Sequence, residues 1–192
     1  MTYRVIVVGA GFAGFHTMRQ LERKLGPREA DLILVTPQSY HLYQPLLPQV
    51  ASGVLSSRSI AIPLHLMLKR TLVIPGGVIG VDLNAKVCVI QKITGEVVNE
   101  KYDRIVLAPG AVTRTFDIPG LTEFGRGMKH LAEGVSLRDH VIAQLELANS
   151  STDTDERAAR CSFTVVGGGY AGVETAACRR RSPGSAAWLA TQ

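Results

Sequence analysis

The apolar run at residues 5–8 leads directly into Gly9, Gly11 and Gly14, and the same order returns when residues 162–166 lead into Gly167, Gly169 and Gly172. A short continuous apolar run is the pattern of a parallel strand buried on both faces. In GxGxxG the first glycine permits a tight turn, the second lets the backbone approach a pyrophosphate, and the third lets the next helix pack closely on the strand. After the first triplet Phe15, Met18, Leu21 and Leu25 form a helical stripe, Gly26 and Pro27 end it, and a second apolar strand follows at residues 32–35. A lone triplet is weak evidence. Two in one chain, each with its strand and its helix, point to βα units whose helix N-termini can face an anion.

The text between the triplets is less regular. From Tyr40 it reads YHLYQPLLPQVASGVL, prolines and aromatics without periodicity, which predicts a structured loop or a broken helix with Tyr40, His41 and Tyr43 as packing residues. Residues 78–83, 86–90 and 96–98 then read as a small antiparallel meander turned at Asn84-Ala85 and Thr94-Gly95. The strand at 104–107 ends in Ala108-Pro109-Gly110, the small-residue turn at which an α/β sheet presents its carboxyl edge to a ligand. Ser136 with Asp139 resembles a capping box for a helix through about Leu147, with Leu137, Val141, Leu145 and Ala148 as its stripe. Residues 149–155 read as a polar, mobile loop. Glu174, two residues beyond Gly172, reads as an acid on the first turn of a helix, stabilised by the helix dipole.

Composition excludes several function classes. The formal charge is +5, but Arg179, Arg180 and Arg181 supply three of the 21 basic residues and no acid follows Cys178, so the rest of the chain carries 18 basic against 16 acidic residues. That leaves no basic body for nucleic acid. Cys88, Cys161 and Cys178 are too scattered for a dithiol or a metal ligand set. The longest apolar stretch, from Ile60, is interrupted by Pro63 and His65 and is too short to span a bilayer. With no secretory signal before the first motif, the expectation is a cytoplasmic protein without metal.

The order of motifs carries a resemblance. GAGFAG, YHLYQPLLPQVASG, GVIGVD, YDRIVLAPGA, FDIPGL and VVGGGYAGVE resemble, over residues 3 to about 178, the amino-terminal part of the flavoprotein pyridine nucleotide oxidoreductases, and among them type II NADH dehydrogenases. The resemblance implies an α/β fold with a Rossmann-type FAD-binding domain carrying a small antiparallel β-meander, followed by the beginning of a second Rossmann-type, NAD(P)-binding domain. The boundaries expected are 1–115 and 116–178, with 179–192 an aberrant or disordered basic tail. It implies FAD as cofactor, with Gly9, Gly11, Phe12, Ala13 and Gly14 along the pyrophosphate, Thr36 near the adenosine ribose, and Ile79 at the adenine. Gln44, Pro45 and Leu46 would approach the flavin, and Ala108 and Gly110 the FAD phosphate side. Gly167, Gly169, Tyr170 and Gly172 would open the NAD(P)H site, with Glu174 near the nicotinamide and flavin.

The reaction so implied is hydride transfer from NAD(P)H to the flavin and electron transfer to a quinone or other small acceptor, with peripheral membrane contact in full-length relatives. Two departures stand out. Thr36 occupies the place of a ribose-binding acid, and Pro109 lacks a backbone donor at the edge of the flavin site. A βαβ unit takes about 30 residues or more, and 26 remain from Gly167 onward. The expectation is therefore no second strand after the second motif and a shortened copy with little turnover. The alternatives are a module that binds FAD or an adenine nucleotide without catalysis, and an inert product.

Overall fold

The computed structural model describes residues 2–113, 115–180 and 188–191. In chain order its elements begin with β1 (Tyr3–Val8), α1 (Phe12–Lys24), β2 (Ala30–Thr36), β3 (Tyr40–Leu42), α2 (Leu47–Ala51), β4 (Ala61–Pro63), α3 (Leu64–Met67) and β5 (Leu72–Asp82). They continue with β6 (Val87–Lys92), β7 (Val97–Lys101), β8 (Arg104–Leu107), α4 (Leu121–Phe124), α5 (Leu131–Ser150), α6 (Thr154–Arg160), β9 (Phe163–Val166), α7 (Tyr170–Arg180) and β10 (Trp188–Thr191). Two units result, Met1–Leu42 with Ala61–Ala111, and Tyr43–Ile60 with Val112–Gln192.

In the first unit six strands run in the order β7-β6-β5-β2-β1-β8. Strand β1 lies between two parallel neighbours, with Val8 opposite Val35 on one side and Leu107 on the other, so three carboxyl ends line up. Val5 and Val7 join Phe15 and Met18 of α1 in one apolar layer. Ile6 and Val8 join Cys88, Ile90 and Tyr102 in the layer on the opposite face. Ile6 and Val7 are both fully buried, which is why the strand reads as an unbroken apolar run rather than an alternating one. Each such side chain contributes about 1.5–3 kcal/mol by burial.

Strand β5 pairs in two ways. Residues Leu72 to Pro75 lie parallel to β2, and from Gly76 the strand turns antiparallel to β6, with a bulge between Val78 and Gly80. The sequence pattern starts this strand at Val78, because Pro75 cannot donate to a ladder. Here Pro75 stands opposite Thr36 where the parallel pairing ends. Gly76 is required beside it, since a Cβ there would come within 2.5 Å of the Gln91 carbonyl oxygen. The meander β5-β6-β7 follows the sequence reading.

The second unit is helical around α2 and α5. Leu47, Val50, Ala51, Val141 and Ala148 are buried, and a Cβ at Gly134 would meet Leu47 Cδ1 at 2.8 Å, so the two helices approach closely through that glycine. Helix α5 starts earlier than the sequence pattern predicts. His130 is its N-cap, and Glu133 closes the capping box by accepting from the His130 backbone N–H at 2.9 Å. Ser136 lies inside the helix and its hydroxyl accepts from Arg126 at 3.3 Å. The polar run at 149–155 also differs from its reading. Ser150 still belongs to α5, and Asp153 caps α6 by accepting from the N–H groups of Asp155 and Glu156.

The expectation of no second strand is corrected as well. Trp188–Thr191 pairs parallel with β9, Trp188 opposite Phe163. Four-residue strands and an eleven-residue helix make a shorter βαβ unit than the usual length allows for. The rest of the expected basic tail, residues 181–187 and 192, lies outside the described residues.

Candidate nucleotide-binding turns

Each glycine of the first turn meets a different constraint. Gly9 has φ +96° and donates its N–H to the Val35 carbonyl at 2.8 Å, and a Cβ on it would strike the Ala108 carbonyl group. Gly14 is closed off by Gly9, whose carbonyl oxygen a Gly14 Cβ would overlap. These two let α1 sit against the end of β1, and β8 beside it. Gly11 is different. A Cβ there would meet no described atom within 4 Å, so the space over this loop, rather than any packing in the chain, is what a side chain would take away.

The end of α1 at this turn suits an anion. Its N-cap, Gly11, has no side chain to cap it, its first turn contains no acid, and Arg23 and Lys24 lie at the opposite end. The positive end of the helix dipole therefore lies at the turn with no acid of its own first turn to offset it. Gly11, Phe12 and Ala13 are exposed, while Gly14 is buried.

The second turn repeats most of this geometry in the other unit, although a Cβ on Gly167 would meet no described atom within 4 Å. Gly167 has φ +106°, a Cβ on Gly172 would overlap the Gly167 carbonyl oxygen, and Gly169 faces no described atom within 4 Å. Phe15 N–H donates to the Gly11 carbonyl at 2.9 Å, and Val173 N–H to the Gly169 carbonyl at 3.0 Å, so both helices begin at the middle glycine in the same way. Tyr170 is 92% exposed and Glu174 is exposed. Glu174 is not on the first turn of its helix, because α7 begins at Tyr170 and its first turn holds no acid. The dipole at the N-terminus therefore gives it little support.

The remaining expected site residues divide between the units. Thr36, Ala108 and Gly110 belong to the first unit with the Gly9–Gly14 turn, at or just beyond the carboxyl ends of β2 and β8. Thr36 is buried and its hydroxyl donates to the Gln38 carbonyl at 3.2 Å, so toward a ribose it can act only as an acceptor. Ile79 is 60% exposed at the bulge of β5. Gln44, Pro45 and Leu46 form a single 3₁₀ turn ahead of α2 and belong to the second unit. Among the described residues no cluster of His, Cys, Asp or Glu could hold a metal ion, and no described helix is long and apolar enough to cross a membrane.

Sequence reading gave His41 a packing role only. It is buried, its Nδ1 lies 3.0 Å from the carbonyl oxygen of Ala10 inside the glycine turn, and its ring stacks on Phe15 at 4.4 Å. The cue was the histidine within an apolar, aromatic stretch, which composition alone does not connect to the turn.

Two such turns, each at the carboxyl end of a parallel strand, define a two-unit Rossmann-type α/β protein. The chain belongs to the pyridine nucleotide-disulphide oxidoreductase family, whose sequence profile matches residues 3–187. It is 36% identical over 177 residues to the type II NADH:quinone oxidoreductase Ndh of Mycobacterium tuberculosis, with 91% of this chain and 37% of that protein covered. Against the external NADH-ubiquinone oxidoreductase 2, mitochondrial, of Saccharomyces cerevisiae the identity is 31% over 184 residues, covering 90% and 32%. The structure of NDH2 from Plasmodium falciparum in complex with NADH matches with a TM-score of 0.85 at 25% identity, covering 93% of this chain and 37% of that one. The chain thus spans about a third of the length of the curated relatives it matches.

Proposed function

We propose that this chain is the nucleotide-binding portion of a type II NADH:quinone oxidoreductase, holding FAD at the Gly9–Gly14 turn and NADH at the Gly167–Gly172 turn. The observation that carries this reading is the repeated geometry, in which the first glycine of each turn has a positive φ, the middle one is open and the third is closed against the carbonyl of the first. The residues fit a dinucleotide, since Gly11 and Gly169 leave room where a Cβ would intrude and the positive end of the α1 dipole lies at the first turn. The named activities of the relatives support NADH as the donor and a quinone as the acceptor.

Bound there, FAD supplies the capacity to take a hydride from the nicotinamide and to pass electrons on to a quinone. The chain's own part is positioning. Gly11, Phe12 and Ala13 would face the FAD pyrophosphate, Thr36 Oγ1 would accept from a ribose hydroxyl, and Ile79 would cover the adenine. Ala108 and Gly110 would border the phosphate side, and Gln44, Pro45 and Leu46 the flavin. Gly167, Gly169, Tyr170 and Gly172 would seat the nicotinamide nucleotide, with Glu174 directed to its reactive end. The relatives' quinone chemistry also motivates peripheral membrane contact in a full-length protein on the cytoplasmic face.

Purification of the chain, followed by denaturation and chromatography of any released flavin, tests the cofactor. FAD in near-equimolar amount is expected, whereas colourless folded protein that binds no added FAD contradicts the reading.

A further inference from the structure

His41 lies 31 positions along the chain from Ala10, and the pairing of β3 with β4, His41 opposite Ile62, brings it back to the first turn. It is 5% exposed, stacked on Phe15 with 24° between the ring planes, and meets Phe12 edge-on at 5.2 Å. A carbonyl oxygen only accepts, so the 3.0 Å contact with Ala10 O requires the proton on Nδ1. The Ala10–Gly11 peptide is trans and planar, hence its N–H points opposite to its C=O. With the carbonyl turned inward to His41, the Gly11 N–H is turned out toward the exposed face of the loop.

We propose that His41 is a positioning residue that locks the Ala10–Gly11 peptide with its donor outward and so sets the first turn for a phosphate-bearing nucleotide. The inference rests on the reading of that turn as the FAD pyrophosphate site. A peptide flipped the other way sets a carbonyl against the phosphates, where like partial charges repel. The second turn has no such lock, because among the described residues no side chain bonds to Gly168, the counterpart of Ala10.

The test uses the full chain, ADP as the pyrophosphate probe, and two variants. His41→Phe keeps the ring stack and removes the donor, while His41→Asn returns an N–H near the Nδ1 position. The expected result is that His41→Phe weakens ADP binding about tenfold and His41→Asn recovers most of it. ADP binding by His41→Phe within twofold of the parent, or no recovery in His41→Asn, overturns the proposal. If His41→Phe does not fold, nitrogen chemical shifts of His41 in the parent decide, and a neutral ring protonated on Nε2 rather than Nδ1 overturns it. A parent chain that binds neither ADP nor FAD removes the nucleotide reading itself, and the lock with it.

Discussion

Gly14 lies against the carbonyl group of Gly9 so closely that a Cβ on Gly14 would overlap the Gly9 oxygen and sit 2.9 Å from its carbon. Both obstacles are backbone and cannot rotate away. Gly14→Ala is therefore expected to shift α1 off β1 and to cost about 2–3 kcal/mol. Gly11→Ala is the complementary case, with no described atom within 4 Å and a φ of −66° that alanine adopts. Its stability should stay within about 0.5 kcal/mol of the parent, while FAD binding weakens. Thermal unfolding beside flavin titration separates the two, and equal losses of both properties in both variants would contradict the assignment of roles.

Glu22 on α1 ties the chain entering β5 to the first βαβ unit. Its carboxylate accepts from the backbone N–H groups of Lys69, Arg70 and Thr71 at 3.1, 2.8 and 2.8 Å and from the Thr71 hydroxyl at 2.7 Å. Partial burial opposes ionisation, but these bonds together outweigh it and hold the pKa below the ordinary 4.5. A carboxylate with a lowered folded pKa adds stability above the unfolded value and loses it as pH falls through the folded one. Glu22→Gln should accordingly lower stability at neutral pH by about 1 kcal/mol, the half-exposed site keeping the effect small. The gap should narrow as pH drops below about 4.5. Denaturant melts of both proteins at pH 7 and pH 3 check this, and a pH-independent gap would count against the ionised acceptor.

The three thiols differ in reach. Cys88 is fully buried on β6, and burial, together with the charge of Glu100, pushes its pKa up. Cys161 and Cys178 are partly exposed. A disulfide reagent applied to native protein should label Cys161 and Cys178 rapidly, and Cys88 only when the sheet opens. Rapid native labelling of Cys88, read by mass spectrometry, would contradict the packing of the meander over the sheet.

Much of the first unit was legible because its constraints are local. The spacing of Gly9, Gly11 and Gly14 after a four-residue apolar run admits few structures, and β1, α1 and β2 follow from it. Gly167, Gly169 and Gly172 mark β9 and α7 in the same way, although the returning strand β10 was not expected from the sequence. What escaped depended on partners distant in sequence. Pro75 hid the first part of β5, since whether a proline is tolerated in a strand depends on what lies opposite it. The cap of α5 fell on His130 instead of Ser136, and the helix at Thr154–Arg160 was masked by the polar composition that Asp153 turns into a cap. His41 became more than a packing residue only once β3 folded it onto Ala10.

The central claim is that one chain holds a flavin at its first turn and a nicotinamide nucleotide at its second, and anaerobic addition of NADH to the FAD-loaded protein tests it most directly. Loss of the oxidised flavin absorbance in the parent is expected, with slower loss in Gly169→Ala at unchanged FAD content. A flavin-loaded chain that NADH leaves oxidised, or a Gly169→Ala variant reduced as fast as the parent, would contradict it.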